Sequence, residues 1–181
     1  MRDWVDIIIE PIRPTYRTPE YNDSEDAGMD VFAANEEDIL IASGDTKIIP
    51  LGFKLQIPPG YEIQVRPRSG NTVKTYLRVA NSPGTVDCNY RGEVGVIMQN
   101  SSNPGYCSGF LSISGGLDYL KNSLIPLSEQ RGGTYRICKG DKIAQFVLAR
   151  VPGIKLIEGK VDAGSEARKG GFGSSDEKVS S

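Results

Sequence analysis

The chain has 181 residues, 38% of them hydrophobic and 24% charged, which fits one ordinary globular domain long enough to bury a core. Its formal charge of −2 offers no clustered positive surface for wrapping duplex nucleic acid, so an anionic ligand has to be met by a few placed Arg or Lys side chains. Histidine is absent, which excludes Ser-His-Asp and Cys-His nucleophile systems and His-based metal sites, and leaves acid–base chemistry to a carboxylate, a lysine or a tyrosine.

In chain order the strand signals dominate. The first candidates are Val5–Glu10, Ile39–Ile41 and Lys47–Ile49. Phe53, Leu55 and Ile57 then alternate with Lys54 and Gln56, and Tyr61, Ile63 and Val65 alternate with Glu62, Gln64 and Arg66. Both runs have the period of two expected of half-buried strands, and Pro58-Pro59-Gly60 between them is a turn. A short helix is expected around Ser69–Leu77, with an irregular start at Gly70 and Asn71. Asn81-Ser82-Pro83-Gly84 reads as a turn between two strands, and Val94–Gln99, Thr134–Cys138, Ile143–Arg150 and Ile154–Glu158 complete the strand candidates. Twenty-one glycines and 11 prolines spread through such short strands predict an all-β barrel or jelly roll rather than alternating β/α units.

Two segments stand apart. Residues 101–133 are rich in Gly, Ser and Asn and run roughly 25 to 30 residues longer than a compact hairpin connection needs. Residues 159–181 are Gly-, Ser- and charge-rich with Phe172 as their only aromatic, too little apolar surface to fold alone. The expected organisation is a β domain over residues 1–158, an insert at 101–133, and a flexible arm at 159–181 that closes over a site. Cys88, Cys107 and Cys138 are widely spaced and odd in number, which matches neither a zinc site nor a disulfide framework. Reduced thiols, with no signal-peptide core and no apolar run of about 18 residues, make a cytoplasmic protein without a membrane partner the expectation.

The polar information lies in five segments: Ala27-Gly28-Met29-Asp30-Val31, Pro67-Arg68-Ser69-Gly70, Asn81 through Glu93, Gly140-Asp141-Lys142-Ile143-Ala144-Gln145, and Arg168-Lys169-Gly170-Gly171-Phe172-Gly173-Ser174-Ser175. Arg68-Ser69-Gly70 alone offers a cation, a hydroxyl and a flexible backbone amide, the parts of a small anion site, although the same residues make an ordinary exposed turn. Asp87 and Tyr90, read alone, are an Asx-turn residue and a half-buried ring. In order and content the five segments resemble the motifs of the homotrimeric dUTPase family, a jelly-roll-like β fold, and the resemblance spans Asp26 to Ser175 apart from 101–133.

That resemblance implies hydrolysis of dUTP to dUMP and pyrophosphate, which limits uracil incorporation into DNA and supplies dUMP. It implies a homotrimer whose sites draw motifs from different subunits. Asp87 is the implied base, accepting a proton from water that attacks the α-phosphorus. Main-chain groups of the Asn81–Gly84 hairpin and Val86, with the Asn81 amide, are implied to bind uracil much as a base pair would, a set of fixed donors and acceptors that rejects cytosine. Tyr90 would pack on the deoxyribose and exclude a 2′-hydroxyl. Arg68, Ser69, Gly70 and Gln145 would hold the phosphate chain, with Asp30 in a supporting role. From the closing arm, Phe172 would stack on the base, flanked by Gly173 and Ser174, and Arg168 would clamp the terminal phosphate.

The arm departs from the family pattern. The arginine usually stands five residues before the phenylalanine, where this chain has Ala167, and Arg168 is four before it. A carboxylate is a weak base, so catalysis rests mainly on positioning and charge neutralisation. Mg²⁺ suits this scheme when held by the phosphates and water rather than by a protein cage. One alternative is dCTP deaminase activity on the same fold, which needs a glutamate where this chain has Ile97. Another is an added regulatory role, with residues 101–133 binding a protein partner. Some phage dUTPases resemble the chain in carrying an insert there, and a phage source would make the host cytoplasm the compartment.

Overall fold

The computed structural model describes residues 3–103, 110–113 and 133–162. Among them, the elements run β1 (Ile8–Pro11), β2 (Met29–Phe32), β3 (Ile39–Ile41), β4 (Thr46–Pro50), β5 (Phe53–Gln56), β6 (Tyr61–Arg66), α1 (Ser69–Lys74), β7 (Leu77–Val79), β8 (Gly84–Val86), β9 (Gly95–Asn100), β10 (Phe110–Ser112), β11 (Thr134–Ile137) and β12 (Lys142–Arg150). They form sheets in the orders β2-β12-β6-β8, β4-β9-β7, β10-β11-β3 and β1-β5. Every pairing is antiparallel except β10 with β11.

The pairings nest. β2 meets β12, β3 meets β11 inside it, and β4 meets β9 inside that, so one long chain hairpin is rolled over on itself. This is the jelly-roll-like all-β architecture expected from the turn-rich sequence. Its wall is divided into separately hydrogen-bonded sheets rather than closed as one continuous barrel. The inward side chains of the period-two strands make the core: Phe53 and Leu55 from β5, Ile63 and Val65 from β6, and Phe146 from β12 are all buried. Phe53 packs edge-on against both Tyr16 and Phe146, with ring centroids 5.7 and 6.1 Å apart. Burying side chains of this size stabilises the fold by about 2 kcal/mol each.

Several strand expectations need correction. The first strand starts at Ile8, not Val5, and the helix stops at Lys74 because Leu77 joins β7. β2 and β10 were not expected as strands, whereas β7 and β8 are the two strands implied by the turn at Asn81–Gly84. Ile154–Glu158 forms no strand: residues 151–162 are irregular, and Ile154, Leu156 and Ile157 are 87%, 91% and 81% exposed. Alternation makes a segment suitable for a sheet, but a strand also needs an adjoining edge, and among the described residues none pairs with it.

One irregularity positions the site. Along β12 the register with β2 shifts by one residue, from Lys142 opposite Phe32 to Ala144, Gln145 and Phe146 opposite Val31, Asp30 and Met29. Ile143 is the extra residue, and both Ile143 and Ala144 are buried. Residues three apart on a regular strand face opposite sides, whereas this bulge puts Lys142 and Gln145 on the same face as Phe32 and Asp30.

Candidate active site

The first cavity forms where β6 and β8 pair, with Val65 opposite Gly84 and Ile63 opposite Val86. The turn between β7 and β8 is closed by the Ser82 amide donating to the Val79 carbonyl at 3.2 Å. Gly84 lets this turn lie close, since a Cβ there would fall 3.1 Å from Asn81 Nδ2 and 3.2 Å from Val65 Cβ. The cavity holds about 190 Å³, and Asn81, Gly84, Val86, Asp87, Tyr90 and Ile97 are among its lining residues. The Tyr90 amide donates to the Asp87 carbonyl at 3.1 Å, closing a tight turn whose two ends both line the cavity.

Tyr90 folds back so that its hydroxyl donates to the Glu93 carbonyl at 2.9 Å. The ring lies directly over Gly92, where a Cβ would come 2.5 Å from the hydroxyl oxygen. The loop is anchored by Glu93, whose carboxylate accepts from Arg13 Nε and, at 2.7 Å, from Arg13 Nη2. Glu93 Oε1 also accepts the Gly52 amide at 3.2 Å. The Arg13 hydrogen bond, reinforced by its charge and the Gly52 amide and opposed by burial, holds the Glu93 carboxyl below its ordinary range.

The second cavity, about 290 Å³, is lined by Asp30, Arg68, Ser69, Gly70 and Gln145, with the 22–28 segment as an outer wall. Arg68 forks the Asp30 carboxylate, with Nε 2.6 Å from Oδ1 and Nη2 3.3 Å from Oδ2. Lys142 Nζ stands 2.9 Å from the same Oδ2. Burial alone pushes the Asp30 carboxyl up, but the hydrogen bonds and charges of Lys142 and Arg68 outweigh it and hold the group below its ordinary range. Gln145 Nε2 donates to the Pro67 carbonyl at 2.9 Å, and its Oε1 occupies the space over Gly28, where a Cβ would come within 2.3 Å. Asn71 Nδ2 donates to the Lys142 carbonyl at 2.9 Å, which ties α1 to β12 beside the cavity.

Among the described residues the expected site side chains are thus gathered into two cavities that share no lining residue. Asn81, Gly84, Val86, Asp87 and Tyr90 form one; Asp30, Arg68, Ser69, Gly70 and Gln145 form the other. Arg168, Phe172, Gly173 and Ser174 lie outside the described residues, as does most of the 101–133 segment. Sequence reasoning passed over Asn22, Asp26 and Gly28 as cavity walls, and Glu93 as the anchor of the Tyr90 loop. Gly28 and Glu93 both stood inside the polar segments, but their partners are distant in sequence. Among the described residues no helix is long and apolar enough to cross a membrane.

Comparison with known proteins identifies relatives of the chain. The dUTPase family model matches residues 15–105, a span that includes Asp30, Arg68 and the whole Asn81–Glu93 segment. The deoxyuridine 5′-triphosphate nucleotidohydrolase of Rickettsia prowazekii (strain Madrid E) is 35% identical over 156 residues, 86% of each chain. The enzyme of that name from Clostridium tetani (strain Massachusetts / E88) is 33% identical over 166 residues, 92% of this chain and 93% of its own. Among solved structures, the dUTPase from phage phi11 of S. aureus superposes with a TM-score of 0.74 at 28% identity, covering 88% of this chain and 99% of that one. The Staphylococcus bacteriophage 80alpha dUTPase with dUpNHpp gives 0.77 at 28% identity, covering 93% and 97%. With the family model matching half of the chain and relatives aligned over most of their length, the chain belongs to the dUTPase family.

Proposed function

We propose that the chain is a dUTP diphosphatase in which Asp87 takes a proton from the water that attacks the α-phosphorus of dUTP, releasing dUMP and pyrophosphate. The observation that carries this reading is the nucleoside-sized cavity in which Asp87, Asn81 and Tyr90 meet at the β6–β8 hairpin. Uracil pairs with main-chain groups of Asn81–Gly84 and Val86 and with the Asn81 amide. Tyr90 packs on the sugar. Asp87 stands beside them, the one carboxylate lining that cavity among the described residues. The phosphate chain is received by Arg68, Ser69, Gly70 and Gln145, and Asp30 orients Arg68. Because the two cavities are separate on one chain, a complete site is assembled between subunits, which favours the homotrimer. The exposed apolar stretch from Ile154 to Val161 is suited to crossing onto a neighbour. Phe172 and Arg168 close the site from the arm, with Gly173 and Ser174 adjoining.

Mg²⁺ fits the donor set only as a substrate-borne ion. Both oxygens of Asp30 already accept from Arg68 or Lys142, so the ligands come from the phosphates and water. When bound, the ion neutralises charge on the phosphate chain. The deaminase alternative is disfavoured because Ile97 lines the Asp87 cavity with a hydrocarbon that cannot move a proton. Cytoplasmic residence, in the host if the source is a phage, is supported by the free thiols of Cys88 and Cys138. A second role, binding of a protein partner through residues 101–133, is favoured by the likeness to the phi11 enzyme, described as carrying a species-specific insert.

The test is pyrophosphate release from dUTP, UTP, dTTP and dCTP, with ammonia followed in parallel. dUTP turnover dominates, and Asp87→Asn lowers kcat by about 10²- to 10⁴-fold, the usual range for a general base. Full turnover by the Asn variant, or ammonia from dCTP, would sink the assignment.

A further inference from the structure

Lys142 lies beside the phosphate cavity without lining it, and its contacts are more numerous than a solvated strand lysine needs. Its ammonium stands 2.9 Å from Asp30 Oδ2, 3.5 Å from Glu20 Oε1 and 3.3 Å from Asn22 Oδ1. Glu20 is paired with Asp30 through two backbone hydrogen bonds of 2.7 and 3.1 Å, and its carboxylate also meets Arg17 Nη2 at 2.9 Å. Arg17 and Lys142 both sit over the buried Phe32 ring, at 3.7 and 5.7 Å from its centroid. The result is an unbroken ladder of charges, Arg17–Glu20–Lys142–Asp30–Arg68, running from the base of the 22–28 wall to the phosphate-facing guanidinium.

We propose that Lys142 is a positioning residue for the triphosphate, fastening the outer wall of the phosphate cavity and setting the charge of its floor. The inference rests on the reading of this cavity as the phosphate site. Lys142 is the rung that joins the wall, through Asn22 and Glu20, to the strand pair that carries Asp30 and Gln145. The bulge at Ile143 turns it onto this face, so its role depends on the same register shift that presents Gln145. Its charge matters as well as its reach. Asp26 and Asp30 both line the cavity, and against them stand Arg68 and Lys142. With the lysine the four charges cancel; without it one negative charge is left over where a polyanion has to sit, a penalty that grows with the number of phosphates.

The experiment compares Lys142→Met, Lys142→Arg and Gln145→Ala in the full-length chain. It measures kcat and KM for dUTP and the inhibition constant of dUMP. Lys142→Met is expected to raise the dUTP KM about 10-fold, equivalent to about 1.4 kcal/mol, while kcat stays within about 3-fold and the dUMP constant within about 2-fold. Lys142→Arg, which keeps the charge and reaches the same carboxylates, restores KM to within about 3-fold. Gln145→Ala reports on the cavity itself. If it raises KM and Lys142→Met does not, the role of Lys142 is overturned while the phosphate reading stands. If neither variant changes KM, both are wrong. An equal loss for dUTP and dUMP, or an arginine variant no better than methionine, marks general loosening and also overturns the proposal.

Discussion

Replacing Asp30 by Asn tests the electrostatics of the second cavity most directly, because the substitution keeps the shape and removes only the charge. The Asp30 side chain is 12% exposed, and its cationic partners Arg68 and Lys142 are 26% and 30% exposed. Breaking a fully buried ion pair by removing one partner costs about 3–5 kcal/mol, and the partial exposure of both cations discounts that here to about 2–3 kcal/mol. The Asn amide nitrogen also has to face a donor, since Arg68 and Lys142 between them approach both oxygens. Urea unfolding followed by fluorescence, at matched chain concentration, reads the difference as a lower midpoint with an unchanged slope.

The pH dependence gives the sign. A carboxyl held below its ordinary range when folded stabilises above its unfolded pKa, near ~4, and loses that contribution as pH falls through the lower folded value. The gap between wild type and Asp30→Asn is therefore full at pH 7 and closes below about pH 4. A variant as stable as wild type at pH 7, or a gap that stays constant down to pH 3, would refute the account of Asp30 as a charge clamped by two cations.

Two further substitutions probe close packing around the first cavity. Gly92→Ala would push the Tyr90 ring off its bed and break the bond to the Glu93 carbonyl; because Tyr90 is 45% exposed, stability should change by less than about 1 kcal/mol while the ratio of dUTP to UTP turnover falls several-fold. An unchanged ratio in that kinetic comparison would remove Tyr90 from sugar selection. Gly52→Ala meets a φ of +76° and a Cβ only 2.9 Å from Ala34 Cβ, so thermal or urea unfolding should report a loss of about 2–4 kcal/mol. A loss below about 0.5 kcal/mol would show that this turn relaxes freely.

The sequence carried the parts of the fold whose physics is local. Alternation in Phe53–Gln56 and Tyr61–Arg66 is a direct imprint of one buried and one wet face, and both became strands. Met29–Phe32 hid its strand because Phe32, though on the polar face, is covered by Arg17 and Lys142, so no polar alternation survives. The bulge at Ile143 left no separate mark in the sequence, since a bulge is recognised only against the register of a partner strand. Ile154–Glu158 failed for the opposite reason: the alternation is present, and among the described residues no edge pairs with it. At the site, Asp87, Tyr90, Arg68 and Gln145 stood out only because their segments resemble the motifs of a known family, whereas the partnership of Asp30 with Arg68 and Lys142 joins residues far apart in sequence. No window along the chain contains it.

The separation of Asp87 from Arg68 into cavities that share no wall has a genetic consequence. If sites are completed between neighbours, as proposed above, a defective copy does not own a defective site but shares its lesion with a neighbour. On that proposal, a chain damaged at Asp87 still lends a sound Arg68 cavity, and a chain damaged at Arg68 still lends a sound Asp87. Two alleles inactive on their own should then rescue one another in a fraction of mixed assemblies, while neither one expressed beside the intact gene should remove more than its own share of working sites, because each site takes a single Asp87 and a single Arg68.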